Sequence, residues 1–361
     1  MPARSIMIMA GGTGGHVYPA LAVADQLRGE GVDLFWLGTR TGLEHEVVPK
    51  NGIELFTIRV SGLRGKGLIR WILSPLTIAV ALAQAVRILL RCRPGAVLGM
   101  GGFASGPGGM AAWLLRIPLY IHEQNAVAGL TNRLLFPLAR AVMQGFPGTF
   151  RGGKVRTTGN PVRRDILNLP LPEVRFAERR DQPLRLLVLG GSLGAQILNE
   201  TLPRALSSLP TEVKIEIRHQ TGPAKIDATR AVYAECGMKD DDVVPYIDDM
   251  AAVYAWADVV LCRAGALTVA EIAAVGLASI LVPLPIAVDD HQTANARFLS
   301  DEGAAVLLPQ KELTPGRLVE LLLELNSNRQ RVYDMALSAR RCSRPHAADE
   351  VAETCMEVLY A

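Results

Sequence analysis

Leu184-Arg-Leu-Leu-Val-Leu189 runs straight into Gly190-Gly-Ser-Leu-Gly194, repeating a device used near the start of the chain, where Ser5-Ile-Met-Ile-Met-Ala10 runs into Gly11-Gly-Thr-Gly-Gly-His16. A short apolar run bounded by glycine reads as a buried strand followed by a tight turn. Further runs follow the first copy at Leu34–Leu37, Ala96–Leu98, Leu119–Ile121 and Ala141–Met143, and the second at Val213–Ile217, Val243–Tyr246, Val259–Leu261 and Ser279–Val282. Longer helical stretches separate them, so the pattern is βα repetition and a parallel sheet covered by helices. It pauses around Gly159-Asn-Pro161 and the polar stretch from Leu169 to Pro183. The reading is an α/β chain of two Rossmann-like parallel-sheet domains separated by a cleft, at 1–163 and 164–340, with a helix in 341–361 returning to the first domain. Ligands of such sheets bind at the carboxyl ends of the strands.

Composition agrees. At 361 residues the chain exceeds the size at which one core stops growing, and 49% hydrophobic against 20% charged residues argues against disorder. Five scattered cysteines, none spaced CxxC, indicate neither a disulfide framework nor a zinc site. The first strand is too short for a signal peptide, so an internal location is expected. Net charge is only +3, yet no acidic residue lies between Glu54 and Glu123, while Arg59, Arg64, Lys66, Arg70, Arg87, Arg91, Arg93 and Arg116 do. The run Leu68 to Leu90 is apolar but interrupted by Pro75, Gln84 and Arg87, which speaks against a bilayer span. It reads either as a core helix or as an apolar surface that docks, with its basic flanks, on an anionic membrane.

A third glycine-rich loop, Gly99 to Gly109, follows Leu98. Loops of this kind present backbone N–H groups and a helix start to an anion with no side chain intruding, so phosphates are the expected ligands. There is no GxxxxGK[ST]. The acid that a dinucleotide fold places at the end of its second strand is missing from Ile217-Arg-His-Gln220, which counts against an NAD enzyme.

Gly11-Gly-Thr-Gly-Gly-His16, Ser61-Gly-Leu-Arg-Gly-Lys-Gly67, His122-Glu-Gln-Asn125, Gly159-Asn-Pro-Val-Arg163, Gly190-Gly-Ser-Leu-Gly-Ala195 and Cys262-Arg-Ala-Gly-Ala-Leu-Thr-Val-Ala-Glu271 together resemble the MurG-type glycosyltransferases over nearly the whole chain. The resemblance implies the GT-B fold and inverting transfer of N-acetylglucosamine from UDP-GlcNAc to lipid I, an undecaprenyl-diphosphate-linked N-acetylmuramoyl-pentapeptide, giving lipid II. It implies the acceptor on the first domain and the donor mainly on the second. Thr13, Gly14, Gly15 and Asn125 then face the transferred sugar, and Arg163 and Ser192 the nucleotide-sugar. Ile247 presents its backbone to uracil. Ala266, Leu267 and Thr268 meet the diphosphate at a helix start, with Val269 and Ala270 beside them, Glu271 accepts from the ribose and Gln292 binds sugar hydroxyls. Ala270 stands where serine is common, and the loop Leu284 to Asp290 is variable.

Inversion requires a base for the acceptor hydroxyl and stabilisation of departing UDP. His16, at the start of the first helix, is the preferred base, because a helix N-terminus disfavours imidazolium; it could instead hydrogen-bond phosphate or the loop. Glu123 is the reserve base or a structural acceptor. Helix-start N–H groups and Arg163 can stabilise the leaving group, so neither metal nor cofactor is required. Asp240-Asp-Asp242, Asp248-Asp249 and Asp289-Asp-His291 could be read as metal ligands, but the first reads better as a solvated turn. His122 is read as packed or reactive with equal weight, and Arg64 and Lys66 as loop residues beside a diphosphate acceptor. Expected partners are UDP-GlcNAc, lipid I and the cytoplasmic face of the membrane, with no nucleic acid, since no aromatic platform interleaves the basic segment. The alternative is another UDP-sugar enzyme of this fold, such as a 2-epimerase.

Overall fold

The structure, a computed structural model, describes residues 4–60, 68–177, 179, 182–191, 193–285 and 290–359, and only the backbone of 68–75. Two compact units emerge: the described residues up to Arg163 join those from Arg344 onward, and Arg164–Ser343 forms the other.

The first unit carries β1 (Ser5–Met9), β2 (Asp33–Thr39), β3 (Glu54–Ile58), β4 (Ala96–Gly99), β5 (Leu119–Glu123), β6 (Ala141–Gln144) and β7 (Val155–Thr157), in the order 3-2-1-4-5-6-7. All pairings are parallel. Alternation along β1 shows why. Ile6 and Ile8 enter one core with Val17, Ala20 and Leu27 of the helix Gly14–Gly29, and with Val351, Ala352 and Cys355 of the helix Ala347–Met356. Met7 and Met9 enter the other, against Ala81, Ala85 and Leu89 of the helix Leu68–Cys92. A strand buried on both faces has no polar position to offer, hence the unbroken apolar run.

The second unit has β8 (Leu184–Leu189), β9 (Ile215–Gln220), β10 (Val243–Val244), β11 (Val259–Cys262), β12 (Ala278–Leu281) and β13 (Ala305–Leu307), in the order 10-9-8-11-12-13, also parallel throughout. Leu184, Leu186 and Val188 pack with Leu198 and Leu202 of the helix Gln196–Ser207 and with Leu318, Leu322 and Leu325 of the helix Pro315–Ser327. In both units the strand order reverses beside the first strand, between β1 and β4 and between β8 and β11. At such a switch point two adjacent strands send their chains to opposite sides, which opens a crevice at their carboxyl ends. Among the described residues no helix is long and apolar enough to cross a membrane.

Candidate functional site

In the first unit, Met9 pairs with Gly99, so the loops leaving β1 and β4 start side by side, stitched by Met100 N–H to the Met9 carbonyl at 2.8 Å. The hydroxyl of Ser105, fully buried, shares its one proton between the carbonyls of Met9 (2.9 Å) and Gly101 (2.7 Å). The contact is too close for side chains: a Cβ on Gly102 would collide with the Gly11 carbonyl, and one on Gly101 would stand 2.6 Å from the His16 ring. Gly101 and Gly102 have positive φ, 93° and 85° respectively. The structure thus brings His16 against the β4 loop.

Thr13 is the N-cap of the helix Gly14–Gly29; its carbonyl accepts from His16 and Val17, and its hydroxyl makes no capping bond. Gly14 lies against Tyr18, a Cβ there meeting the ring at 3.0 Å, and the Arg163 guanidinium sits 5.4 Å over that same ring. One aromatic therefore connects the glycine loop to Arg163.

Glu123 ends β5 and is 2% exposed. One oxygen accepts from the Asn125 backbone (3.0 Å) and side chain (3.2 Å), the other from Gly129 N–H (3.0 Å) and Asn132 (2.9 Å). Four donors converge on it, which makes Glu123 the organiser of the 125–129 turn and the residue that aims Asn125. The fully buried His122 bonds the Gly159 carbonyl at 2.9 Å through Nε2. A carbonyl only accepts, so Nε2 carries the proton. Burial pulls the His122 pKa down to about 4, so the ring stays neutral.

In the second unit Leu189 pairs with Cys262, placing Gly190 beside Arg263. Gly191 and Gly194 have φ of 77° and 70°, and a Cβ on Gly190 would lie 2.5 Å from the Ala195 nitrogen, so the loop closes on its own helix. Lys225 donates to the Leu193 and Gly194 carbonyls, the latter at 3.0 Å. Gln220, at the end of β9 and 5% exposed, donates to the Gly191 carbonyl at 3.1 Å and accepts from Ile247 N–H at 3.2 Å. Beneath lies a buried chain: Asn199 donates to Thr221, His219 bonds Asn199 at 3.0 Å and Tyr233 at 3.1 Å. Burial takes the His219 pKa to about 3.

The helix Ala266–Val275 opens behind Gly265 with no side-chain cap and no acid in its first turn, leaving its leading N–H groups available to an anion. Ala266, Leu267, Thr268, Val269 and Ala270 make up that first turn and its continuation. Glu271, 6% exposed, accepts from the Tyr254 hydroxyl at 3.0 Å. Burial, with Glu271 nearby, raises the Cys262 thiol to about 12. Gln292, in the helix His291–Ser300, accepts from Leu284 N–H at 2.9 Å, which fixes its amide. Ser192, Arg64, Lys66 and Asp289 lie outside the described residues. Among the described residues no group of three His, Cys, Asp or Glu side chains is arranged to hold a metal ion.

Glu44, Gln220 and Lys225 escaped the sequence reading. Gln220 closes a mostly polar strand, Ile215–Gln220, and is buried through partners that the linear sequence does not display. The same holds for Glu44, whose partner Gly12 lies 32 residues away and whose only trace in the sequence is Gly38 and Gly42 nearby.

The family model described as glycosyltransferase family 28 N-terminal domain matches residues 6–144, and the corresponding C-terminal domain model matches 185–351. Proteins from Nitrosococcus oceani and Alkalilimnicola ehrlichii, both named UDP-N-acetylglucosamine--N-acetylmuramyl-(pentapeptide) pyrophosphoryl-undecaprenol N-acetylglucosamine transferase, are 54% and 56% identical over 354 residues, 98% of either chain. The crystal structure of Acinetobacter baumannii MurG, 46% identical, superposes with a TM-score of 0.83 over 98% of this chain and 99% of its own. A UDP-GlcNAc 2-epimerase from Neisseria meningitidis, 14% identical with a TM-score of 0.66, shares the fold alone. With such identity over its full length, the chain belongs to glycosyltransferase family 28 and, within it, to the MurG-type N-acetylglucosamine transferases.

Proposed function

We propose that the chain transfers N-acetylglucosamine from UDP-GlcNAc to lipid I with inversion, giving lipid II for peptidoglycan. The observation that carries the reading is the pair of anion-ready elements at one switch point, the 190–194 loop and the uncapped start of Ala266–Val275, in a chain whose full-length relatives bear that transferase name. The second unit holds the donor: helix-start N–H groups and Arg263-adjacent backbone meet the diphosphate, Glu271 the ribose, Ile247 the uracil, and Ser192 and Gln292 the rest of the nucleotide-sugar. Their fixed dipoles stabilise the leaving UDP without reorganising during the reaction. The first unit supplies His16 as base for the acceptor hydroxyl, with Thr13, Gly14, Gly15 and Asn125 around the sugar. Glu123 acts by holding Asn125, and Arg163, stacked on Tyr18, is directed to the nucleotide-sugar.

The chain works as a peripheral protein at the cytoplasmic face of the membrane. Support comes from three neighbouring helices, Leu68–Cys92, Ser105–Leu114 and Leu130–Leu135, which expose Leu76, Ile78, Leu90, Trp113, Leu114, Leu130 and Leu134. From 55 to 164 the only acid is the buried Glu123. Exposed apolar side chains in a field of arginines fit an anionic lipid surface.

The test is transfer of labelled GlcNAc to a lipid I analogue by the purified protein, with and without chelator, beside His16→Ala. β-Linked product that survives chelation and drops by about 10²-fold or more in the variant supports the reading. Consumption of UDP-GlcNAc without acceptor, and no product with it, would replace it with epimerisation.

A further inference from the structure

Glu44 is the first residue of the helix Glu44–Lys50 and is completely buried, although the reaction gives it no part. One carboxylate oxygen accepts from Gly12 N–H at 2.9 Å; the other accepts from Thr39 N–H at 2.8 Å and the Thr39 hydroxyl at 2.7 Å. Three glycines make room for it. A Cβ on Gly11 would stand 2.5 Å from its Oε1, one on Gly38 2.6 Å from its Cγ, and one on Gly42 would collide with Oε2. The chain thus surrenders side chains at three positions, one within β2 and one on each of the loops after β1 and β2, to admit one carboxylate. Desolvating a carboxylate costs free energy even when its hydrogen bonds are made, and apolar packing of the same volume is often as stabilising, so stability alone does not account for such a group.

What Glu44 holds is more informative. Gly12 has φ of 96°, and this turn decides where Thr13 and the first turn of Gly14–Gly29, His16 included, point. Among the described residues nothing stands within 4 Å of a Cβ on Gly12, so none of them packs on that face of the turn. The bond from beneath holds the turn, together with the Leu43 N–H contact to the Gly12 carbonyl at 3.5 Å.

We infer that Glu44 is a positioning residue for sugar transfer: its carboxylate pins Gly12 and thereby fixes the loop that carries Thr13 and His16. The inference rests on the reading of this loop as the reacting half-site. Misplacing a reacting group by about 1 Å costs about 10²-fold.

Glu44→Gln keeps the shape but has one oxygen, and retaining it for the two Thr39 donors turns an NH2 onto Gly12 N–H. Thr39→Val removes only the hydroxyl bond on the far oxygen and serves as the stability-matched control. Turnover with lipid I analogue is measured beside UDP-GlcNAc affinity by calorimetry. The expected result is kcat down about 30- to 100-fold in Glu44→Gln, about threefold or less in Thr39→Val, and donor affinity unchanged in both. In a His16→Ala background, Glu44→Gln should cost no more than about threefold further. If Glu44→Gln does not fold, Glu44→Asp, which draws the carboxylate back by one methylene, is read in the same way. A folded variant with kcat within twofold of wild type, equal losses in Thr39→Val, or a full additional loss on His16→Ala overturns the proposal. Undiminished activity of His16→Ala alone would instead overturn the assignment of the base.

Discussion

The Gln220 side chain accepts the backbone N–H of Ile247 at 3.2 Å while its amide grips the Gly191 carbonyl at 3.1 Å, so one buried residue sets the spacing between the glycine loop and the 245–249 loop. For the proposed donor site this has a chemical consequence. With its N–H given to Gln220, Ile247 would offer a base its carbonyl, which could accept from N3–H of uracil but would find no such donor on N3 of cytosine. Gln220→Leu keeps the volume and removes both ties; Gly191 is exposed and Ile247 half-buried, so water can take the freed backbone groups and each bond counts for about 0.5–1.5 kcal/mol. The KM for UDP-GlcNAc is expected to rise about tenfold or more, kcat to hold within about threefold, and the preference for UDP over CDP as inhibitor to shrink. An unchanged KM would show that the two loops keep their spacing without the tie.

A second glycine contact tests the first unit. Gly102 combines φ of 85° with a Cβ position that collides with the Gly11 carbonyl. Left-handed backbone alone costs a non-glycine residue about 1–2 kcal/mol, and backbone cannot retreat as a flexible side chain would. Gly102→Ala is expected to lower the melting temperature by several degrees and transfer by more than tenfold. Gly12→Ala, with open space at its Cβ, should show the φ cost without the collision.

How much of this was written in the chain follows from the range of the forces. β1 and β8 were legible because a doubly covered strand must be apolar throughout and the turn after it must be glycine. β7 and β13 were not: each is a three-residue edge strand, covered on fewer sides, and Val155-Arg-Thr157 has no period to read. β9 was placed at Val213–Ile217 but runs Ile215–Gln220, because His219 and Gln220 are polar yet buried through partners that the linear sequence does not display. The unit boundary falls after Ser343, three residues past the expected edge of 340. Glu44 stayed hidden for the same reason as Gln220, with Gly38 and Gly42 nearby as the only trace.

The neutral histidines make stability pH-dependent with a definite sign. His122, held near pKa 4 in the fold, returns to about 6.5 when unfolded, so between these values the unfolded chain binds the extra proton. Its contribution is complete above about pH 6.5 and is lost at about 1.4 kcal/mol per pH unit as the pH falls towards 4. His122→Gln, whose amide N–H can still reach the Gly159 carbonyl, should flatten the acid side of the stability–pH curve by about one proton. A curve as steep as the wild type's would mean that His122 is already charged in the fold.

The exposed helices of the first unit make the last prediction separable from catalysis. Trp113 and Leu114 are about half exposed at the end of Ser105–Leu114, with exposed Arg116 two residues on. Inserting one large apolar side chain into lipid is worth about 1.5–3 kcal/mol, and each nearby arginine contributes on the order of 1 kcal/mol on an anionic surface. Binding to vesicles rich in anionic lipid should therefore fall about 100-fold in the double variant Trp113→Ser, Leu114→Ser, with the melting temperature held because neither side chain is in the core. Raising salt from about 0.1 M to about 1 M shortens the screening length from about 10 Å to about 3 Å. It should weaken the wild type on anionic vesicles while leaving any binding to neutral vesicles unaffected. Equal affinity of wild type and double variant for anionic vesicles, measured by co-sedimentation, would place the membrane contact elsewhere on the chain.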